Sequence, residues 1–318
     1  WPRAPRGFLF FGIRYPPAKI TVRINSPSKC RPCMLPSMKR FAIVTVIGRD
    51  KTGVVARVTN FLFEQKGNIE ALEEQVTRGQ FSMTLQASWS GPVDEKKLLA
   101  GMTQLAAQLD MEITTRFTEP RQSQRMAIMV TKESHCLERI LRAAKDGEIK
   151  RARPAVVIAN RKDLEPIARA ARLPFHYIPW ENRARAEEKA LRILDEHGID
   201  FIVLARFMKI LSPNIVWRYK NKIINIHPSL LPSFPGPQAY RQAYEQGVKI
   251  IGVSAHFVTV NLDEGPIIAQ DCFRFRPGMN LKDIVKAGQR IEAETLLKAV
   301  KLYLSRRLDV YWGIVKEV

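Results

Sequence analysis

The chain has 318 residues, 46% of them hydrophobic and 26% charged, with a formal charge of +20, which leaves room for two domains of ordinary size, each with its own core. No apolar run reaches the roughly 20 residues that span a bilayer, and four scattered cysteines (Cys30, Cys33, Cys136, Cys272) exclude a disulfide framework and favour a reducing cytoplasm. The charge invites a nucleic-acid reading, but residues 1 to 38 alone hold seven Lys or Arg and no acid, and the rest has no basic run interleaved with aromatics, so neither nucleic acid nor membrane is an expected partner.

Residues 1 to 38 carry seven of the 20 prolines, begin with Trp and show no sustained period; they are expected to be a disordered or non-native leader, with Met38 as the natural start. Cys30-Arg31-Pro32-Cys33 has metal-ligand spacing but no second pair to complete a zinc site, so no metal is expected. From Phe41 the pattern changes. Phe41 to Ile47 reads as a strand, and Val54, Val58, Phe61 and Leu62 recur at helical spacing until Gly67-Asn68 stops them. A strand from Ile69 to Thr77 turns at Arg78-Gly79 into another, Phe81 to Ala87. Leu98, Met102, Leu105 and Leu109 stripe a second helix, and Met111 to Phe117 gives a last strand. The order βαββαβ over residues 39–118 predicts a ferredoxin-like sandwich.

Residues 119–125 are polar and break the periodicity, as a linker does. Over residues 126–318 strands and helices alternate. Met126 to Val130, Ala155 to Ile158, Phe175 to Pro179 and Phe201 to Ala205 are near-continuous apolar runs of the kind that buried parallel strands show. Helices are expected between them, one capped by Ser134 and one over 181–197. This pattern predicts a doubly wound, mostly parallel α/β sheet, whose ligands bind beyond the carboxyl ends of its strands.

The chemistry concentrates at one such end. Ile223, Ile224 and Ile226 form a fifth strand in which Asn225 and His227 stand one pleat apart and share a face. A proline-rich loop from Pro228 to Gly236 follows and is too interrupted to be a helix. A further run, Gly252 to Val260, carries His256 and leads into Asp263. A strand from Pro266 to Phe275 and a long helix from Leu281 to Ser305 close the chain.

Asn225-Ile226-His227-Pro228, Leu230-Leu231-Pro232, Gly252, His256-Phe257-Val258 and Leu262-Asp263-Glu264-Gly265-Pro266 together resemble the formyltransferase family that uses 10-formyltetrahydrofolate. Asp50-Lys51-Thr52-Gly53 and Gly67-Asn68-Ile69 resemble the ACT domain, a module that binds small amino acids at subunit interfaces. The pairing, with Thr131 to Cys136, is similar to the formyltetrahydrofolate deformylases over residues 40 to 318. The resemblance implies Asn225, His227 and Asp263 as catalytic residues. It also implies Phe207, Met208, Leu211, His256 and Gly265 as neighbours of the bound folate, an amino-acid effector, a homo-oligomer, and no cofactor beyond the folate substrate. Two features depart from the deformylase pattern: Pro228 follows His227 where a second His is usual, and Pro237-Gln238-Ala239-Tyr240 differs from the usual loop.

An N-formyl carbonyl resists attack until its oxygen is polarised. Asn225 and His227 offer a donor pair for the tetrahedral oxyanion, His227 can protonate the departing nitrogen, and Asp263 can hold the imidazole charged and take a proton from the nucleophile. These three residues do not distinguish water from an amine acceptor such as glycinamide ribonucleotide. Hydrolysis to tetrahydrofolate and formate, supplying purine synthesis, is the expectation, with formyl transfer as the alternative.

Overall fold

The computed structural model describes residues 40–77, 79–118, 123–311 and 313–317. The expected leader, Arg78 of the expected turn and residues 119–122 of the expected linker lie outside them. The first pattern folds as β1 (Arg40–Arg49), α1 (Val54–Glu64), β2 (Asn68–Thr77), β3 (Gln80–Trp89), α2 (Glu95–Leu109) and β4 (Glu112–Thr118). Its strands pair antiparallel in the order β2-β3-β1-β4. The helical stripes Val54, Val58, Leu62 and Leu98, Met102, Leu105, Leu109 bury against Val44, Val46, Met83 and Leu85 on one face of this sheet, because residues three and four apart share a helix face. Asp94 starts α2 by accepting a hydrogen bond from Lys97 N at 3.0 Å.

The second pattern continues as β5 (Gln124–Val130), α3 (His135–Lys145), β6 (Ala152–Ala159), α4 (Glu165–Ala170), β7 (Phe175–Tyr177), α5 (Arg183–Glu196) and β8 (Phe201–Ala205). It then runs through α6 (Pro213–Arg218), β9 (Ile223–His227), α7 (Ala239–Glu245), β10 (Ile250–Phe257), β11 (Ile267–Arg274) and α8 (Leu281–Ser305), and finishes in a hairpin of β12 (Leu308–Tyr311) and β13 (Ile314–Glu317). The seven-stranded order is β11-β10-β9-β8-β5-β6-β7. From β9 to β7 the strands are parallel, while β10 and β11 run antiparallel at one side. After β7 the chain crosses back over β5 to place β8 on its other side, which creates a switch point between β5 and β8.

Apolar residues on the two faces enter separate cores. Ile128, Val203, Ile224, Ile226 and Val253 meet α3 and α8 on one side, and Met129, Ile158, Ile202 and Ile223 meet α5 and α6 on the other. Asn280 opens α8 with a capping box, accepting from Lys282 N and Asp283 N while Asp283 accepts from Asn280 N.

Three features depart from expectation. α6 and α7, of six and seven residues, are too short to build a readable period. The β12–β13 hairpin has no counterpart among the expected elements. Ser134 precedes α3, but its side chain makes no cap hydrogen bond. The two sheets meet through charged groups: Arg116 of β4 donates to Ile199 O at 2.7 Å and to Asp195 at 3.0 Å, and Lys220 pairs with Glu73 at 2.7 Å. Among the described residues, no helix is long and apolar enough to cross a membrane.

Candidate active site

β9 places Asn225 and His227 on the face opposite Ile224 and Ile226, as strand alternation requires. β10 pairs antiparallel with β9 in a register that sets His256 beside Asn225 and Ser254 beside His227. Beyond β10 the chain turns through Asp263, whose φ of +56° is left-handed, a conformation that Asp tolerates better than most residues. That turn aims its carboxylate back at the two strands.

The side chains meet there. His227 Nδ1 lies 3.3 Å from Asp263 Oδ2, with 6% and 8% of the two side chains exposed. His227 Nε2 donates to Phe234 O at 2.9 Å. Both ring nitrogens therefore face acceptors, an arrangement that a doubly protonated imidazole satisfies. Asp263 Oδ2 also accepts from Gly236 N at 2.9 Å. His256 donates through Nδ1 to Phe257 O at 2.9 Å, which leaves Nε2 to accept from Asn225 Nδ2 at 3.1 Å. Burial holds the His256 imidazole below its ordinary range, against the opposing pull of the Phe257 hydrogen bond and of Asp263. The ring is accordingly neutral at pH 7, as the acceptor role requires.

These groups open into a cavity of about 560 Å³ at the carboxyl ends of β8 and β9. Phe207, Met208, Leu211 and His256 all line it. Phe207 is largely committed to the core, its ring edge-on to Trp180 with centroids 5.0 Å apart, whereas Met208 is 55% exposed. Gly265 stands apart from these four. It does not line the cavity but lies under the end of β10, where a Cβ would stand 1.6 Å from Phe257 O.

The sequence reading missed several residues of this region. Ser254 Oγ donates to Ser229 O at 2.7 Å and accepts from Leu231 N at 2.9 Å and Gln270 Nε2 at 2.8 Å, tying the start of the proline-rich loop to the sheet. Glu292 of α8 is fully buried in the cavity wall and accepts from Tyr240 OH at 2.7 Å and His135 Nε2 at 3.0 Å, with Arg206 Nε at 3.4 Å. No short motif announces either one. His135, Cys136 and Glu292 bring potential metal ligands within 4.8 Å of one another. Both carboxylate oxygens already hold protein donors, however, and the Arg206 guanidinium beside them opposes a second cation.

Two family models match the chain: ACT domain over residues 40–117 and Formyl transferase over residues 124–300. The chain is 39% identical over 269 residues to a protein named formyltetrahydrofolate deformylase from Bacillus subtilis, covering 82% of this chain and 88% of that one. The chain belongs to the formyltetrahydrofolate deformylase family. A crystal structure of a formyltetrahydrofolate deformylase from Pseudomonas syringae superposes with a TM-score of 0.60 at 31% identity, covering 87% of this chain and 94% of that one. The formyl-transfer half is shared more widely. Glycinamide ribonucleotide transformylase 1 from Symbiobacterium toebii gives a TM-score of 0.59 at 32% identity, but covers only 64% of this chain. The deformylase resemblance thus spans both sheets, and the transformylase resemblance spans less of the chain.

Proposed function

We propose that the protein hydrolyses 10-formyltetrahydrofolate to tetrahydrofolate and formate, with Asn225, His227 and Asp263 as its catalytic residues and no cofactor besides the folate. Family membership over both sheets supports the substrate, and the single observation that carries the chemistry is the 3.3 Å approach of His227 Nδ1 to Asp263 at a cavity that Asn225 also lines. The apolar stretch Phe207, Met208 and Leu211 receives the pterin, and the formyl carbon lies over the end of β9. Asn225 donates its second amide hydrogen to the formyl oxygen. His227 shifts its Nε2–H from Phe234 O to the same region, so that two donors face the developing oxyanion.

Water then adds to the formyl carbon. Its proton passes to Asp263, the carbon–nitrogen bond breaks, and the proton from His227 goes to the departing nitrogen. Tetrahydrofolate and formic acid leave, the acid ionising to formate in solution, and the proton held by Asp263 restores the imidazolium. Formate so released feeds purine synthesis in the cytoplasm. The ACT-like sheet takes a small amino-acid effector in the loop around Gly53, and the exposed outer strand β2 offers a pairing edge to a second copy.

The test is incubation of the purified protein with 10-formyltetrahydrofolate and no other acceptor. Stoichiometric formate is the expected outcome. Product that forms only after an amine such as glycinamide ribonucleotide is added would replace hydrolysis with transfer.

A further inference from the structure

The proposed catalytic pair is gripped by a loop as well as by the sheet. Phe234 O accepts from His227 and Gly236 N donates to Asp263, each at 2.9 Å, so two residues on either side of Pro235 hold one partner each. This stretch is not relaxed. Phe234, Gly236 and Gln238 have φ of +52°, +83° and +60°, and two of these are non-glycine residues in a conformation that persists only where its surroundings impose it.

The imposing contact follows directly. Two residues after Gln238, the Tyr240 hydroxyl enters the protein and donates to Glu292 Oε1 at 2.7 Å, a fully buried bond. The Tyr240 ring lies flush on Gly288, one turn earlier on α8, where a Cβ would come within 2.2 Å of it. Glu292 is itself immobilised: His135 of α3 holds its second oxygen at 3.0 Å, and Arg206, at φ +62° in the loop after β8, stands 3.4 Å away. Burial alone would raise this carboxyl, but the His135 hydrogen bond and the Arg206 charge outweigh it and keep it anionic. The bond from Tyr240 is therefore charge-assisted, roughly twice as strong as a neutral one.

We infer that Tyr240 and Glu292 are positioning residues that latch the 234–238 loop against His227 and Asp263, with α8 as the fixed side of the latch. The inference rests on the deformylase reading for the identity of the reaction, but its geometry is independent of the acceptor. Without the latch the loop is free to relax toward ordinary φ values, so Asp263 loses the Gly236 amide that fixes its carboxylate and His227 loses the carbonyl that orients its ring until the substrate takes over the Nε2–H. Displacements on the order of 1 Å at reacting groups cost up to about a hundredfold in rate.

The experiment compares the full chain with Tyr240→Phe, which removes only the hydroxyl, and Gly288→Ala, which pushes the ring away from the other side. Expected for each is a kcat lower by ten- to a hundredfold with KM for 10-formyltetrahydrofolate changed by less than about threefold. Glu292→Gln, which keeps an oxygen opposite Tyr240, should retain more activity than Glu292→Ala, and Glu294→Gln, on an exposed position of α8, should match the unmodified chain. A second readout does not need turnover: deuterium exchange at the Gly236 amide should be at least tenfold faster in Tyr240→Phe. Native kcat in that variant overturns the latch, and so does unchanged exchange at Gly236. Absence of formate from the unmodified chain, with faster Gly236 exchange in the variant, sinks the deformylase reading and leaves the latch standing.

Discussion

Asn225 has one amide nitrogen and, in the proposed mechanism, two obligations for it. One hydrogen goes to His256 Nε2 at 3.1 Å, and the other is left for the formyl oxygen. The amide therefore points usefully only while His256 is neutral and held by Phe257 O. Replacing His256 with Leu keeps the volume roughly filled but removes the acceptor, and kcat for formate release is expected to fall about tenfold with KM nearly unchanged. Asn225→Ala removes the donor itself and should cost more, on the order of 10²–10³. Equal losses in the two variants would mean that His256 does something other than orient Asn225. Sequence spacing alone made Asn225 and His227 neighbours, since both stand on one strand face, but it left His256 an ordinary strand residue.

At the scale of elements, the junction of β10 with the Asp263 turn depends on Gly265. Phe257 N donates to Pro266 O at 2.9 Å, and the space above Gly265 is already filled by Phe257 O, 1.6 Å from where a Cβ would be. Gly265→Ala must separate the two backbones. It is expected to destabilise the fold by about 2–4 kcal/mol, as backbone clashes at tight packing do, and to lower kcat by moving Asp263. Denaturant unfolding followed by formate assay measures both; a variant as stable as the parent would show that the loop moves aside freely. The strands and long helices were legible because alternation and the 3.6-residue repeat are properties of the local backbone. α6 and α7 escaped because neither spans two full turns, and the prolines beside them masked what little period they have.

Across the whole molecule, the two sheets are joined near a lysine that the fold strains. Lys222 sits just ahead of β9, and burial, helped by the nearby Arg116 charge and opposed by Asp200, lowers it to about 8 from an ordinary 10.5. Because the folded state gives up this proton more readily than the unfolded one, the folded chain binds fewer protons between pH 8 and 10.5, and stability contributed here rises with pH across that window. Below pH 8 the cost is fully present. Lys222→Met should stabilise the protein at pH 7 by about 2 kcal/mol and lose that advantage toward pH 10.5, as thermal unfolding at the two pH values would show. A constant gain at both would assign the effect to packing.

The chain by itself determined the two alternating patterns, the strand that presents Asn225 and His227 together, and the motifs that mark the family. Each depends on residues a few positions apart, whose relative directions the backbone geometry imposes. Only the tertiary structure decided that β10 and β11 run antiparallel, that Asp263 comes within 3.3 Å of a histidine 36 positions earlier in the chain, and that Glu292 collects Tyr240, His135 and Arg206. Those outcomes depend on which distant surfaces pack together and on the need of every buried polar group for a partner. No local repeat encodes them, so they appear only when the sheet is assembled.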